Sequence, residues 1–274
     1  MLICLVGGAV RDILLGRQVS DRDFLVLGAT TAQFRKRFPN AREVGKTFPI
    51  FLVNGEEYSF PRGEGCAPCC GGVSCTDLPS VLAADLASRD FTINALAVPL
   101  PDHPRLPPPA AVRDMAVGLP RSLADLDARV LRPVGRASLT DDPLRVFRAA
   151  RLLAQLPDFS PHPELLPAMT EASQTEAFAT LPPERVGTEL RKALRGARPG
   201  IFVRRLAEAK ALRPWLAELH GADTIPAAFF VPCSLRHPGA AGHGALSLAG
   251  CPQPGRRGRV PGLWPAIVCG LQRI

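Results

Sequence analysis

LVGGAVRDILLGRQVSDRDFLVLGAT, residues 5–30, is the stretch that decides the fold, because it carries a strand, a glycine turn, a helix and a second strand in succession. The apolar run at residues 2–6 predicts the first strand. Residues 9–15 predict a helix, which Gly16 ends. The apolar residues 24–27 predict the second strand, so this end of the chain indicates an α/β domain.

The first turn of this unit contains two glycines, Gly7 and Gly8, and Arg11 follows them. Glycines let a phosphate approach the backbone closely, and the N-terminus of a helix favours anions. The Arg11 guanidinium would add a charge-assisted contact to such a phosphate. A glycine pair in isolation usually marks only a turn, so the interpretation depends on the residues that follow.

Two carboxylates, Asp21 and Asp23, stand at the start of the second strand. Residues two apart on a strand point to the same face, so both carboxylates would face one ligand. Mg²⁺ is commonly bound by one or two carboxylates together with the phosphates of a substrate. The alternative is a solvated acidic strand end, but the neighbouring glycine turn favours a site for a metal ion and a nucleotide.

The rest of the chain divides into an α/β part and a helical part. Asn54 and Gly55 predict the turn of a hairpin, and Thr30 is a candidate N-cap. Six prolines at residues 99–111 predict an irregular connection. From Asp142 onward, apolar residues recur with the period of a helix. The predicted elements are a helix at 31–38, hairpin strands at 48–53 and 57–60, a helix at 78–86, a strand at 91–98, and helices at 183–195 and 199–219.

Four ordered motifs within residues 1–195 resemble those of the class II tRNA nucleotidyltransferases, the CCA-adding enzymes, which share a superfamily with bacterial poly(A) polymerases. The first motif is the stretch quoted above. The others are SRDFTINAL at residues 88–96, DDPLRVFR at 141–148 and ERVGTEL at 184–190. The similarity fades after about residue 219, and family members are usually longer, which indicates a C-terminally truncated member.

The patterning and the resemblance together imply three regions. Residues 1–135 would form an α/β nucleotidyltransferase head, a mixed sheet with helices. Residues 136–220 would form an all-α neck that recognises the base. Residues 221–274 hold nine Gly, seven Pro and five Arg but only one acidic residue, which predicts a tail of low order.

The resemblance implies a two-metal nucleotidyl transfer with Mg²⁺ as the cofactor. Asp21 and Asp23 would hold the metal, with one ion activating the RNA 3′-hydroxyl and the other neutralising the triphosphate. Glu57 lies on a neighbouring predicted strand, where the superfamily often has a third carboxylate. The alternative for Glu57 is an exposed charge on a strand.

The resemblance also implies a set of nucleotide-binding residues. In the family, the residues that match Asp142 and Arg145 hydrogen-bond the base edge of CTP or ATP, and two residues three apart on a helix share a face. The alternative for these two residues and Arg148 is a solvated ion-pair face at a helix start. The full set is Gly8 and Arg11 around the triphosphate, Arg89 and Asp90 at the nucleotide and its ribose, and Asp142, Arg145 and Arg148 at the base.

Two features depart from the family pattern. Ser88 replaces the first arginine of the family motif RRDFTINAL. The loop after Arg62, thought to help family members switch from C to A addition, carries clustered cysteines in this chain. Two interpretations stay open for these cysteines, a zinc knot and an irregular reduced loop. The cysteines are Cys66, Cys69, Cys70 and Cys75.

The formal net charge is +8, and only four of the 33 basic residues are lysine. The excess of arginine suits contacts with phosphates, although a GC-rich genome would give the same bias. The chain has no run of 18 apolar residues and no signal-peptide pattern at its start, which predicts no membrane span and a cytoplasmic location. These patterns leave the oligomeric state open.

The resemblance implies an enzyme that transfers CMP and AMP from CTP and ATP to the 3′ end of tRNA and releases pyrophosphate. The head motifs do not separate this activity from that of a poly(A) polymerase or of an enzyme that adds only CC or only A. An alternative of another class is a truncated, weakly active protein that binds nucleotide or RNA.

Overall fold

A seven-stranded mixed sheet forms the N-terminal part of the chain, with its strands in the order β3-β4-β5-β2-β1-β6-β7. The computed structural model describes residues 1–19, 21–44, 50–61, 78–101, 103 and 105–217, all within one compact unit. The strands are β1 (Leu2–Val6), β2 (Asp23–Leu27), β3 (Arg42–Val44), β4 (Ile50–Val53), β5 (Glu56–Ser59), β6 (Leu96–Leu100) and β7 (Val117–Gly118). The clustered cysteines and the predicted tail at 221–274 lie outside the described residues.

Helices connect the strands and make up most of the described chain beyond residue 137. They are α1 (Gly8–Leu14), α2 (Thr31–Arg37), α3 (Leu78–Ala87), α4 (Pro109–Met115), α5 (Ser122–Asp127), α6 (Ser138–Asp141), α7 (Leu144–Gln155), α8 (Leu165–Ser173), α9 (Glu176–Ala179), α10 (Pro183–Leu194) and α11 (Pro199–Glu208). A 3₁₀ helix at Thr92–Asn94 and a short parallel pair, β8 (Val130–Leu131) with β9 (Ser160–Pro161), complete the elements. The predicted α/β head and helical neck are confirmed. Within the described ranges, no helix has the length and apolar character needed to cross a bilayer.

Strands β1 and β2 form the centre of the sheet. They pair antiparallel, with Leu2 opposite Leu27, and β1 pairs antiparallel with β6 on its other side. Both strands are buried beyond their first residue, which explains why each is a continuous apolar run and not an alternating one. Strand β2 also pairs in parallel with β5, which sets Asp23 directly beside Glu57.

Several element ends agree with the local sequence signals. Gly16, just beyond α1, has a φ of 65°, a left-handed conformation that glycine adopts at low cost. The Thr30 side chain accepts a hydrogen bond from the Gln33 backbone at 3.2 Å, which confirms it as an N-cap. Asn54 and Gly55 have φ values of 53° and 85° and join β4 to β5, which confirms the hairpin turn.

The strand predicted at residues 91–98 was wrong over its first half. Strand β6 begins only at Leu96, because the 3₁₀ helix precedes it, closed by a hydrogen bond of 2.9 Å from Asn94 N to Phe91 O. Apolar composition is the same for a buried strand and for a buried turn, so periodicity did not separate them. The first two residues of the strand predicted at 48–53 lie outside the described part.

Two other predicted boundaries were also wrong. The connection at 99–111 is not irregular throughout, since Pro109 begins α4, and the fixed φ of proline suits the first turn of a helix. The helix predicted at 199–219 ends at Glu208. Lys210 follows in a left-handed conformation, with a φ of 55°, that does not continue a helix.

Helix α7 is the centre of the neck. It packs against α10 and α11 and buries Phe147, which stacks on Phe178 with ring centroids 5.3 Å apart. Arg151 of α7 also forms a buried ion pair with Glu189 of α10. The first turn of α7 reaches the head, where Arg145 donates to a backbone carbonyl.

Candidate active site

A cavity of about 300 Å³, the central cavity, opens where the sheet, the 3₁₀ helix and α7 meet. A second space of about 500 Å³, the adjoining cleft, lies between α1 and the neck helices α7 and α10. The predicted site residues that line the central cavity are Gly8, Asp23, Glu57, Arg89, Asp90, Arg145 and Arg148. Arg11 and Asp21 line the adjoining cleft instead, and Asp142 lines neither space.

The glycine turn makes room for the guanidinium of Arg89. Gly7 has a φ of 75°, and a Cβ on it would lie 3.0 Å from Arg89 Nη1. Arg89 is held there by Asp85 of α3, which accepts from its Nε at 3.3 Å and from its Nη2 at 3.0 Å. The Asp85 carboxylate is buried, so it fixes the direction of a cation at the wall of the central cavity.

Arg11 is also fixed before any ligand binds. Its Nε and Nη2 donate to the two carboxylate oxygens of Asp12, each at 2.9 Å. Its Nη1 donates to Asn94 Oδ1 at 2.7 Å. The guanidinium lies against Gly8, where a Cβ would meet Arg11 Nη2 at 3.4 Å. The turn therefore presents a cation whose direction is already set.

The two predicted metal-binding carboxylates line one cleft, but they do not lie on one strand as predicted. Asp23 is the first residue of β2, but Asp21 precedes the strand, so the argument that both share one strand face was wrong. Both nevertheless line the adjoining cleft. Glu57 lies beside Asp23 across the parallel strand pair and lines the central cavity. Among the described residues, no group of three His, Cys, Asp or Glu is arranged to hold a metal ion.

The surroundings of the Asp23 carboxyl disfavour its charged form, mainly because the group is buried. Desolvation raises the pKa of the Asp23 carboxyl above its ordinary value, and the charge of Asp21 raises it further. The charges of Arg89 and Arg148 act in the opposite direction but do not cancel the shift. A cation bound beside Asp23 would stabilise its charged form.

Asp90 connects the head to the neck. Burial alone would raise the pKa of its carboxyl, but the Arg148 charge and the hydrogen bonds it receives hold that pKa below its usual value. Arg148 donates to Asp90 through Nε at 2.7 Å. The other carboxylate oxygen accepts from Phe91 N at 2.9 Å and from Asn94 Nδ2 at 3.2 Å. Asp90 is therefore a buried, ionised anchor for a cation of α7.

Arg145 supports the backbone of the SRDFTINAL motif. It donates to the carbonyl oxygens of Ser88 at 2.8 Å and of Arg89 at 3.2 Å. It also donates to Ser138, at 3.1 Å to the carbonyl and at 2.6 Å to the hydroxyl. These contacts fix the segment from which Arg89 and Asp90 project.

Asp142 precedes the helix that carries Arg145, and its backbone carbonyl accepts from Arg145 N at 2.9 Å. The prediction that both residues share a helix face was wrong, since α7 begins at Leu144. Asp142 is extended, with φ −135° and ψ 93°, as expected for a residue before proline, and Pro143 follows it. Its carboxylate pairs with Arg185 of α10 at 3.3 Å.

Sequence reasoning missed two residues that the structure places in this site, Asp85 and Asn94. Asp85 had a weak signal, since a carboxylate four positions before Arg89 on a helix can pair with it. Asn94 is part of a quoted motif, but its two partners lie on separate elements. Asp90 is only four positions from Asn94, so it is Arg11 that only the fold brings within reach of the amide.

The adjoining cleft is strongly basic on its neck side. Besides Arg11 and Arg148, its lining contains Arg17 from the head and three cationic side chains from the neck: Arg151, Lys192 and Arg195. The carboxylates on the same lining are Asp12, Asp21 and Asp23. Cations opposite a pair of acidic side chains suit a phosphodiester or triphosphate bound together with a metal ion.

Two protein-family models match the chain. Residues 3–132 match the Poly A polymerase head domain. Residues 158–222 match a model described as the probable RNA and SrmB-binding site of polymerase A. The first match contains the seven-stranded sheet apart from Leu2, and the second contains helices α8 to α11.

Curated relatives and solved structures agree with these matches. The multifunctional CCA protein of Stenotrophomonas maltophilia (strain R551-3) is 43% identical over 235 residues, which is 82% of this chain and 54% of that protein. A solved tRNA-processing enzyme with CTP is 25% identical, with a TM-score of 0.58 over 77% of this chain and 54% of its own. A tRNA nucleotidyltransferase complexed with a primer tRNA and an incoming ATP analog is 25% identical, with a TM-score of 0.58 over 80% of this chain and 63% of its own.

The chain spans about half the length of the curated relatives it matches. The matched half nevertheless contains the sheet, the glycine turn, and the 3₁₀ helix and α7 that carry Asp90 and Arg148. Its sequence motifs, its sheet topology and the matched family models all indicate the same family. The chain therefore belongs to the tRNA nucleotidyltransferase/poly(A) polymerase family.

Proposed function

We propose that the chain transfers CMP and AMP from CTP and ATP to the 3′ end of tRNA, without a nucleic-acid template, and releases pyrophosphate. The observation that carries the proposal is the central cavity, where carboxylates of the head meet arginines of head and neck. Phosphoryl chemistry of this kind depends on positioning and on neutralising charge. The multifunctional CCA proteins among the relatives support the same activity.

Asp21 and Asp23 would hold Mg²⁺, and Glu57 stands beside Asp23 as a further carboxylate. The donor set fits this ion, because Mg²⁺ takes one or two carboxylates when substrate phosphates supply further oxygens. The raised pKa of Asp23 fits it as well, since a cation would stabilise the paired charges. When bound, the ion would neutralise phosphate charge and promote deprotonation of the attacking hydroxyl.

The head residues would hold the triphosphate. Gly8 leaves space beside the turn, and Arg11 and Arg89 supply cations whose directions are already set by Asp12 and Asp85. A preset guanidinium loses less conformational freedom when a phosphate binds than a mobile one does. Asp90 would contact the ribose from its fixed place in the motif.

The neck residues would read the base. Asp142 and Arg145 are proposed for this role after an exchange of partners, since Asp142 now pairs with Arg185 and Arg145 with carbonyl groups. Arg148 would stay on Asp90 and face the cavity. This part of the proposal predicts that nucleotide binding frees Arg185.

The proposal includes a division of the chain into a catalytic head at 1–135, a base-recognising neck at 136–220 and a tail at 221–274. It also includes a cytoplasmic location, because the substrate would be tRNA. One competing activity has specific support, namely poly(A) polymerase, because the matched head model carries that name. Its product, a long run of A, differs from CCA in length and composition.

Extension of tRNA transcripts tests the proposal. Transcripts that end before CCA, after C and after CC are incubated with the full chain, Mg²⁺ and CTP, ATP or both. The matched control is the double variant Asp21→Asn, Asp23→Asn, which keeps side-chain size but removes the charges that hold the ion. Ordered addition of C, C and A by the wild-type chain, lost in the control, is the expected result.

Other products would identify a different activity for the chain. Addition of only C or only A would assign a restricted enzyme of the same chemistry. Long A tails on any RNA would assign a poly(A) polymerase. A folded chain that binds CTP but extends none of the transcripts would contradict catalysis and leave a nucleotide-binding protein.

A further inference from the structure

Four side chains form one continuous series of hydrogen bonds from the neck to the glycine turn. On α7, Arg148 donates to Asp90 at 2.7 Å. Asp90 accepts from Asn94 Nδ2 at 3.2 Å, and Asn94 Oδ1 accepts from Arg11 Nη1 at 2.7 Å. Asn94 is the uncharged member, and it lines both the central cavity and the adjoining cleft.

The amide of Asn94 suits a position between a cation and an anion. An amide accepts through its oxygen and donates through its nitrogen, so it bonds Arg11 on one side and Asp90 on the other. A carboxylate in its place would be repelled by Asp90, and an ammonium or guanidinium would be repelled by Arg11. Asn94 is only 7% exposed, so water does not readily replace either bond.

The backbone around Asn94 is fixed by its own hydrogen bonds. Asn94 N donates to Phe91 O at 2.9 Å, and Ala95 N donates to Thr92 O at 3.0 Å, which closes the 3₁₀ helix. The side chain of Asn94 therefore extends from a rigid turn. Arg11, by contrast, has a long side chain whose direction depends on its partners.

We propose that Asn94 is a positioning residue, which fixes the Arg11 guanidinium for the triphosphate and ties it, through Asp90 and Arg148, to the neck. The inference rests on the proposed function, because it takes a nucleoside triphosphate as the ligand of this site. Without Asn94, the bonds to Asp12 would still hold Arg11, but Asp12 is its sequence neighbour and lies on the same short helix. The guanidinium would then lose its connection to the rest of the site.

Equilibrium binding of CTP and of CMP to the full chain tests this role in Asn94→Ala. We expect CTP affinity to fall about tenfold or more, since a hydrogen bond to a charged group is lost from a site that must hold a triphosphate. CMP lacks the β- and γ-phosphates, so its affinity should fall much less. A purely structural defect would weaken both nucleotides alike, so the ratio of the two dissociation constants identifies a positioning role.

Two further variants sharpen the measurement. Thr92→Val is the matched control, because it removes a buried hydrogen bond of 2.8 Å to Asp125 from the same 3₁₀ helix and leaves Arg11 and Asp90 untouched. It should bind CTP as the wild-type chain does. In an Arg11→Ala background, Asn94→Ala should cause no further loss of CTP affinity, because its effect passes through Arg11.

Three outcomes would overturn the inference: unchanged CTP affinity in Asn94→Ala, equal losses for CTP and CMP, or full additivity with Arg11→Ala. A wild-type chain that binds no CTP would instead overturn the proposed function, and this inference with it. If circular dichroism shows that Asn94→Ala does not fold, Asn94→Ser replaces it in the same measurements. Its smaller side chain still breaks the bond to Arg11 while it keeps a polar group in the turn.

Discussion

The arginines of the head and those of helix α7 are held in different ways. Arg11 and Arg89 bond carboxylates one and four positions away in the chain. Each of the three arginines of α7 bonds at least one group between 38 and 58 positions away. These long-range pairs join Arg145 to Ser88, Arg148 to Asp90 and Arg151 to Glu189.

The difference indicates that the arginines of the two regions have different roles, one in directing cations and the other in holding elements together. Each of these head arginines has a carboxylate within four positions that sets where the cation lies, and Arg11 is held in addition by Asn94. An α7 arginine joins separate elements, so its partner contributes to holding those elements together. Removing a head partner should therefore change nucleotide affinity most, and removing an α7 arginine should change stability most.

The largest effect on stability is expected for Arg151→Met. Arg151 and Glu189 are only 12% and 6% exposed, so the variant would leave a buried carboxylate without its cation. Loss of one partner of such a pair destabilises a fold by about 3–5 kcal/mol. Urea unfolding followed by circular dichroism measures the loss. Arg113→Met breaks an exposed pair with Asp127 and should destabilise the fold far less than Arg151→Met does. Equal losses would contradict the distinction.

A somewhat smaller loss is expected for Arg148→Met, about 2–3 kcal/mol. The Arg148 side chain is 37% exposed, so water compensates part of the lost interaction, but Asp90 is only 5% exposed and would stay buried. The matched control is Arg185→Met, which breaks the more exposed pair with Asp142. If both variants unfold at the same urea concentration, Arg148 does not hold head and neck together in the way the geometry implies.

Acid should reduce the difference between Arg148→Met and the wild-type chain. The pKa of Asp90 lies below its ordinary value in the folded wild type, so its contribution to stability is present above the unfolded pKa of about 3.9 and is lost as the pH falls through the folded pKa. Without Arg148, burial would raise the pKa of Asp90, and the variant would gain relative stability as Asp90 takes up a proton. Unfolding free energies at pH 7, 5 and 4 measure this. A gap that stays constant over that range would contradict the assignment.

The head could be predicted from sequence to the extent that its signals are local. The apolar runs of β1 and β2, the capping threonine Thr30 and the Asn54-Gly55 turn each depend on residues within a few positions of one another. The same holds for Gly8 and Arg11, which the structure places together at the turn. Local signals of this kind do not need the tertiary fold to be interpreted.

The neck side of the site could be predicted only in part. Asp142 was assigned to the helix of Arg145, although Pro143 between them carried the local information that the helix begins later. The roles of Asn94 and of the Arg145 contacts depend on elements more than 50 positions apart. Sequence spacing alone gives no distance between such elements. The packing of α1 against the 3₁₀ helix sets it for Asn94, and the packing of α7 on the head sets it for Arg145.

The smallest effect on stability, and the sharpest test of the comparison, is expected for Asp85→Asn. The amide keeps the shape of the carboxylate but weakens its hold on Arg89, which has two hydrogen bonds to it. CTP affinity should fall about three- to tenfold, because the guanidinium is no longer directed along the Gly7 turn. Stability should change by only about 1 kcal/mol, because the amide still accepts hydrogen bonds and no ionised carboxylate is left without its cation.

The matched control is Asp127→Asn, which makes the same chemical change in an exposed pair and should leave CTP binding unaltered. The comparison would be contradicted if Asp85→Asn lost several kcal/mol of stability but bound CTP normally. Asp85 would then stabilise the fold as the partners of the α7 arginines do, and a carboxylate close in sequence would not identify the residues that direct the ligand-binding cations.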